Sequence, residues 1–284
     1  LNMACSVPQD GQGLANLYGG RAALAEKLDQ LFETTLETDT VGANQGIHER
    51  REAQEVKMGE YGHSNQPSHH IPYMYLYAGR PDRTQEKVRQ VLRQCYVGSR
   101  IGQGYIGDED NGEMSAWFIF SAMGFYPLNM GNGELVFGSP LFKKITLHHE
   151  NGHDLIIEAP NNSSTNIYVG GLTINGTPYS KTSIKQTDLT DRLKTQDVVL
   201  HFDMQATPGA WGMGENDVPD SLTKGDETPD PLRDRTNSAA VVAKEVPTTL
   251  SSGDSIYCAD GENLKNLLDN NSKTVSYTHL RAHE

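Results

Sequence analysis

Gly107-Asp108-Glu109-Asp110-Asn111-Gly112-Glu113-Met114-Ser115-Ala116-Trp117 is the stretch on which the reading of this chain turns. Four carboxylates fall within six residues, Asp108 to Glu113, between glycines. An apolar run, Met114 to Met123, follows directly. That run is too apolar for a surface helix and predicts a buried one. The acids then sit on a loop that feeds a helix N-terminus, where negative charge is stabilised. A loop held by a rigid helix is a common place for catalytic groups. A solvated acidic cap and a calcium loop are equally compatible with this stretch by itself.

Working outward, residues 1–128 read as helical. Gly20 to Phe32 places Ala23, Leu24, Leu28, Leu31 and Phe32 at helical spacing, and Thr84 to Tyr96 does the same with Val88, Val91, Leu92 and Cys95. Thr34 to Tyr61 is polar and predicts a long loop, a frequent carrier of function. Pro67 opens a run through Ala78 that is apolar all round and predicts a second buried helix, with proline in its first turn. Amphipathic and buried helices thus alternate, as in a double ring whose inner helices line a cleft.

From Glu134 the pattern changes to strands at 134–137, 144–147, 154–158, 166–169, 171–174 and a closing strand at 198–202. Asn151-Gly152 and Asn175-Gly176 are hairpin signals. Residues 129–205 predict a small antiparallel β-sandwich unit. Residues 206–245 lack periodicity and are rich in Pro, Gly, Asp and Ser, which predicts a linker. Residues 246–274 are similar to the opening of a discoidin-like carbohydrate-binding sandwich. Residues 275–284 resemble a translated sequencing adapter and are set aside from fold reasoning.

The chain has 284 residues and a net charge of −13. No basic cluster is present, which argues against nucleic acid as a partner. No apolar run reaches the length of a membrane span. Cys5, Cys95 and Cys258 are too few and too scattered for a disulfide framework or a metal knuckle, so buried free thiols are expected. The sequons at Asn161, Asn162, Asn175 and Asn270 do not fix a compartment.

Several motifs occur together. They are Val7-Pro8-Gln9-Asp10, Ser64-Asn65-Gln66-Pro67-Ser68-His69-His70-Ile71-Pro72-Tyr73, Tyr77-Ala78-Gly79, the acidic loop, Met114-Ser115-Ala116-Trp117 with Ser121-Ala122-Met123-Gly124-Phe125-Tyr126-Pro127, Gly138-Ser139-Pro140-Leu141-Phe142 and Asn161-Asn162-Ser163. Their order and spacing resemble the family 92 glycoside hydrolases, exo-acting α-mannosidases, over residues 1 to about 205. The resemblance implies an (α/α)6 toroid joined to β-sandwich structure, calcium dependence and hydrolysis with inversion. It implies Asp110 as general base with Asp108 beside it. It implies an α-1,2 preference through His48 and Glu49, mannose-containing glycans as substrates, and a secreted, periplasmic or cell-surface location.

Asn65 and Gln66 are the candidate calcium ligands, although the family's usual Glu is Gln66 here. His69, His70 and Trp117 are candidates for sugar contacts, with core packing as the other reading of each. The family's general acid aligns a few residues before Leu1, and nothing supports Glu33, Glu49 or Glu60 in its place. These residues alone are therefore expected to be inactive. A non-catalytic carbohydrate-binding protein of the same fold, or another inverting glycosidase, stands as the alternative.

Overall fold

The computed structural model describes residues 2–35, 48–96 and 104–228, with the backbone pair formed by 261–262 and 277–278. The chain divides into two compact units, Leu1–Pro229 and Asp230–Glu284.

In the first unit, helices α1 (Gly11–Tyr18), α2 (Arg21–Glu33), α3 (His48–Val56), α4 (Pro81–Gln94) and α5 (Glu113–Met123) precede the sheets. Leu24, Leu28, Leu31 and Phe32 of α2 and Val88, Val91 and Leu92 of α4 are buried in one core, as their spacing predicts. Between them lies the segment expected as a helix from Pro67. It is buried, but it forms two short 3-10 turns, Gln66–Ser68 and Ile71–Leu76. The reason is its second proline. Pro72 has no N–H to give to the fourth residue back, so the backbone closes with tighter bonds such as Tyr73 N to His70 O (3.0 Å) and Tyr77 N to Met74 O (3.1 Å). Tyr75 and Arg83 both donate to Asp29 Oδ1 at 2.7 Å, joining this layer to α2 and α4.

Two further expectations are corrected. The long polar loop contains α3, whose charged sequence carries good helix formers and buries Ala53. The apolar helix α5 is not buried all round: Ser115, Ala116 and Ile119 are exposed.

The sheets follow. Strands β1 (Phe125–Tyr126), β2 (Glu134–Phe137) and β7 (Ser183–Lys185) pair antiparallel in the order β1-β2-β7. Strands β3 (Lys144–His148), β4 (Asp154–Glu158), β5 (Tyr168–Ile174), β6 (Thr177–Pro178) and β8 (Val198–Gln205) form a second sheet in the order β3-β4-β8-β5-β6. The hairpin signals mark the β3–β4 and β5–β6 turns. Asn175 (φ 48°) and Gly176 (φ 78°) supply the two positive φ angles that the tight turn requires. The unit is mixed rather than purely antiparallel, because β4 and β8 run parallel. Nor does β8 close an edge: it lies between β4 and β5. Its alternate residues Val198, Leu200, Phe202 and Met204 are buried with Phe137, Ile184 and the helix α6 (Gln186–Leu193), which sequence periodicity did not reveal. The segments expected as strands at 166–169 and 171–174 are one strand with a bulge at Gly170.

Arg89 of α4 fastens the helical layer to the sheets. It donates to Pro140 O (2.6 Å), Asn162 Oδ1 (2.7 Å) and Ser163 O (3.0 Å) in a buried setting. Residues 206–228, expected as the first part of a linker, carry no helix or strand, yet they return to the helices as a strap. Asp10 Oδ1 accepts from Ser221 Oγ and Thr223 N, each at 2.8 Å, and its Oδ2 accepts from Thr223 Oγ1 at 2.8 Å. Tyr77 donates to Asp220 O at 2.8 Å. Of the second unit only β9 (Gly261–Glu262) and β10 (Tyr277–Thr278), an antiparallel pair, are described. The rest of the expected discoidin-like segment and adapter tail lies outside the described residues.

Candidate active site

The acidic loop enters α5 through three consecutive positive φ angles, Asp110 (54°), Asn111 (58°) and Gly112 (100°). This left-handed turn costs most residues roughly 1–2 kcal/mol each and is easiest for Gly, Asn and Asp, the residues found there. It divides the acids. Glu109 turns back onto the helix start, accepting from the N–H of Gly112 and from that of Ser115 (3.3 Å), while its carbonyl accepts from Met114 N (3.3 Å). The Ser115 hydroxyl and the Gly112 N–H hold the Glu109 carboxyl below its ordinary pKa. Capping is thus done by Glu109, and Asp108 and Asp110 remain exposed.

The 61–70 segment forms the floor. The Gln66 amide donates to Asp110 Oδ2, so the expected metal ligand and the expected base meet. Asn65 is exposed beside it. Gly107 explains its own identity: a Cβ there would lie 2.6 Å from Ser64 Cβ and 3.1 Å from Glu52 Oε2. The loop, the 61–70 segment and α3 therefore converge. His48 and Glu49 open α3, but their side chains lie outside the described residues.

Beneath the floor is an aromatic layer that sequence reasoning missed. Tyr96 donates its one hydroxyl proton to Met114 O (3.0 Å), so the 2.8 Å contact with His63 Nε2 is a bond that His63 donates. His63 Nδ1 then accepts from Tyr61 OH at 2.8 Å. His63 is thus the neutral Nε2–H tautomer, and burial holds its pKa well below the usual value. His69 stacks on it at 4.6 Å and donates through Nε2 to His63 O (2.9 Å). Burial lowers the His69 pKa to about 4. Its Nδ1 is buried without a hydrogen bond, 4.0 Å from Glu113 Oε1. His70 donates through Nε2 to Cys5 O at 2.6 Å, and burial lowers its pKa too.

Trp117 is 1% exposed. It donates to His69 O (3.1 Å), lies edge-on to His63 and is stacked with Tyr96. Trp117, His69 and His70 are thus all buried, the first two within the aromatic layer and the third against Cys5. The signal for His63 was its place in Tyr61-Gly62-His63-Ser64, directly before Asn65 and Gln66.

The outcome is a cluster of oxygen acceptors over neutral imidazoles. Such a cluster suits hydroxyl donors or a hard cation. Among the described residues, no group of three or more His, Cys, Asp or Glu is placed to hold a metal ion.

The model of the glycosyl hydrolase family 92 catalytic domain matches residues 1–206. The chain belongs to glycosyl hydrolase family 92. Its fold is similar to that of a family GH92 α-mannosidase from Bacteroides thetaiotaomicron, with a TM-score of 0.66 and 30% identity over 79% of this chain and 27% of that one. A family GH92 inverting mannosidase from the same organism matches with a TM-score of 0.62 and 38% identity, over 77% of this chain and 29% of that one. An uncharacterized secreted glycosidase from Arthroderma benhamiae is 27% identical over 77% of this chain and 25% of its own length. The chain thus spans between a quarter and a third of each of these relatives. Among the described residues, no helix is long and apolar enough to cross a membrane.

Proposed function

We propose that these residues are part of the catalytic module of an exported, calcium-dependent, inverting exo-α-mannosidase, with Asp110 as general base and Asp108 beside it. The observation that carries this reading is the division of labour in the acidic loop. Glu109 satisfies the helix N-terminus, so Asp108 and Asp110 are left exposed for chemistry. Inverting hydrolysis requires a carboxylate that takes a proton from water as the water attacks the anomeric carbon, and a second carboxyl across the bond that protonates the leaving oxygen. Asp110 suits the first role, since Gln66 fixes one oxygen and leaves the other free to accept. The general acid is assigned upstream of Val7-Pro8-Gln9-Asp10, and the helices to an (α/α)6 toroid.

The donors at hand fit calcium. Asn65 and Gln66 carry amide oxygens, which are hard ligands. Bound there, calcium would supply Lewis-acid polarisation of sugar hydroxyls. An α-1,2 preference rests on His48 and Glu49 at the start of α3. The substrates would be mannose-containing glycans such as the mannose arms of N-glycans.

The test is mannose release from α-1,2-mannobiose by the longer chain that contains these residues, with and without a chelator, beside Asp110→Asn. Loss of a general base lowers turnover by about 10²–10⁴-fold, with binding retained. Release unchanged by Asp110→Asn would refute the assignment. Binding without any release from α-mannosides would point to a carbohydrate-binding protein.

A further inference from the structure

The chain contains four Asn-Gly pairs, at 111–112, 132–133, 151–152 and 175–176. By sequence they are chemically alike, since glycine leaves each following amide open to attack the asparagine side chain. In the structure they differ. Asn132 is held at both ends, by Glu134 N (2.8 Å) and by Glu134 Oε2 (3.4 Å). Asn151 donates to Leu193 O (2.7 Å) and accepts from His153 N (3.1 Å). Asn175 donates to Asp197 O (3.0 Å) and accepts from Val199 N (2.6 Å). Asn111 is exposed, and its side chain makes no hydrogen bond among the described residues.

One more feature singles out Asn111. The Gly112 N–H, whose nitrogen would be the nucleophile, points at the Glu109 carboxylate, which can receive its proton. At Asn151 the corresponding Gly152 N–H donates to a carbonyl, His149 O (3.0 Å), which cannot.

We propose that Asn111 is a site of spontaneous deamidation, and that it ages the acidic loop. The Gly112 nitrogen gives up its proton and attacks Asn111 Cγ. A C–N bond forms, the Cγ–Nδ2 bond breaks, and ammonia leaves with the transferred proton. Water then opens the succinimide at either carbonyl. The product at position 111 is aspartyl or isoaspartyl. Either form adds a carboxylate between Asp110 and Glu113, and the isoaspartyl form also lengthens the backbone by one methylene. The loop that holds Asp110 against Gln66 is thereby displaced. This inference does not depend on the glycosidase reading.

The experiment uses the 284-residue chain itself, held at mildly alkaline pH, digested in acid and analysed by mass spectrometry at each Asn-Gly pair. Breaking two side-chain hydrogen bonds before reaction slows the other three sites, so Asn111 is expected to convert about tenfold faster or more. In concentrated urea the four rates should converge. A native Asn111 rate equal to or below that of Asn132, Asn151 or Asn175 overturns the proposal. So does the same fourfold ranking in urea, because the protection would then not come from the fold. Glu109→Gln, which keeps an acceptor near Gly112 but removes the base, should slow Asn111 selectively.

Discussion

Replacing Asp10 by alanine should loosen the strap without touching the acidic loop. Its carboxylate caps α1 through Gly13 N (3.2 Å) and accepts from Ser221 and Thr223. A lost N-cap costs about 1 kcal/mol, and hydrogen bonds to a charged group contribute about 1.5–3 kcal/mol each. Because the strap can hydrate once freed, these do not add, and about 2–4 kcal/mol is expected in all. Asp10→Asn keeps a capping oxygen and should cost roughly half as much. Burial pushes the Asp10 carboxyl up, but hydrogen bonds from Thr223, Ser221 and Gly13 outweigh this and lower its pKa. A depressed folded pKa means the contribution is complete above the unfolded value, near ~3.9, and is lost as pH falls through the folded one. The penalty of Asp10→Ala should therefore be full at neutral pH and shrink in acid. Urea unfolding at several pH values, with trypsin nicking after Lys224, measures both effects. A neutral-pH loss under ~0.5 kcal/mol with unchanged nicking would refute the latch.

Three further outcomes are expected. Arg89→Ala strands Pro140 O, Asn162 Oδ1 and Ser163 O between the helical and sheet layers, and should lower stability by about 2–4 kcal/mol, since each buried acceptor left unmet costs about 1–3 kcal/mol and water reaches some of them; Arg89→Lys cannot reproduce the fork and should recover little, as thermal melting would show. Phe202→Ala empties a site between β8 and Phe137 and should cost about 3–5 kcal/mol by the same measurement. Glu109→Ala should raise hydrogen exchange at Gly112 and Ser115 while leaving β8 amides protected, since only the α5 cap is lost.

What could be read in the sequence follows from how local each signal is. The faces of α2 and α4 and the two hairpin turns needed only their own residues, and they stand as expected. Strand order did not: the alternation in β8 says that one face is buried, but not that the strand lies between β4 and β5. Pro72 broke the expected 67–78 helix because apolar character reports burial without reporting backbone pitch. The strap was read as linker because its hold on Asp10 comes from single polar groups, which leave no periodicity. In the site, the motifs brought Gln66 and Asp110 together in sequence terms, and the structure joins them. The separation of Glu109 from its neighbours depends on three backbone angles, which four adjacent acids do not disclose. Trp117 and His69 had two readings, sugar contact and core packing, and their burial in the aromatic layer is set by contacts with His63 and Tyr96 that the motif itself does not disclose.

The central place of β8 has a consequence for the order in which the molecule is made. The hairpins β3–β4 and β5–β6 leave the ribosome first, and neither pairs with the other. Each is a two-stranded piece that has little stability in water. The strand that joins them, with Val198, Leu200, Phe202 and Met204 on its inner face, is the last of that sheet to be synthesised. Until it arrives, Leu155, Ile157, Leu172 and Ile174 have only an incomplete core to enter. Assembly of the sheet is therefore a late event that occurs nearly all at once, and a nascent chain stopped before Val198 exposes the edges of two hairpins with strand-pairing groups unmet.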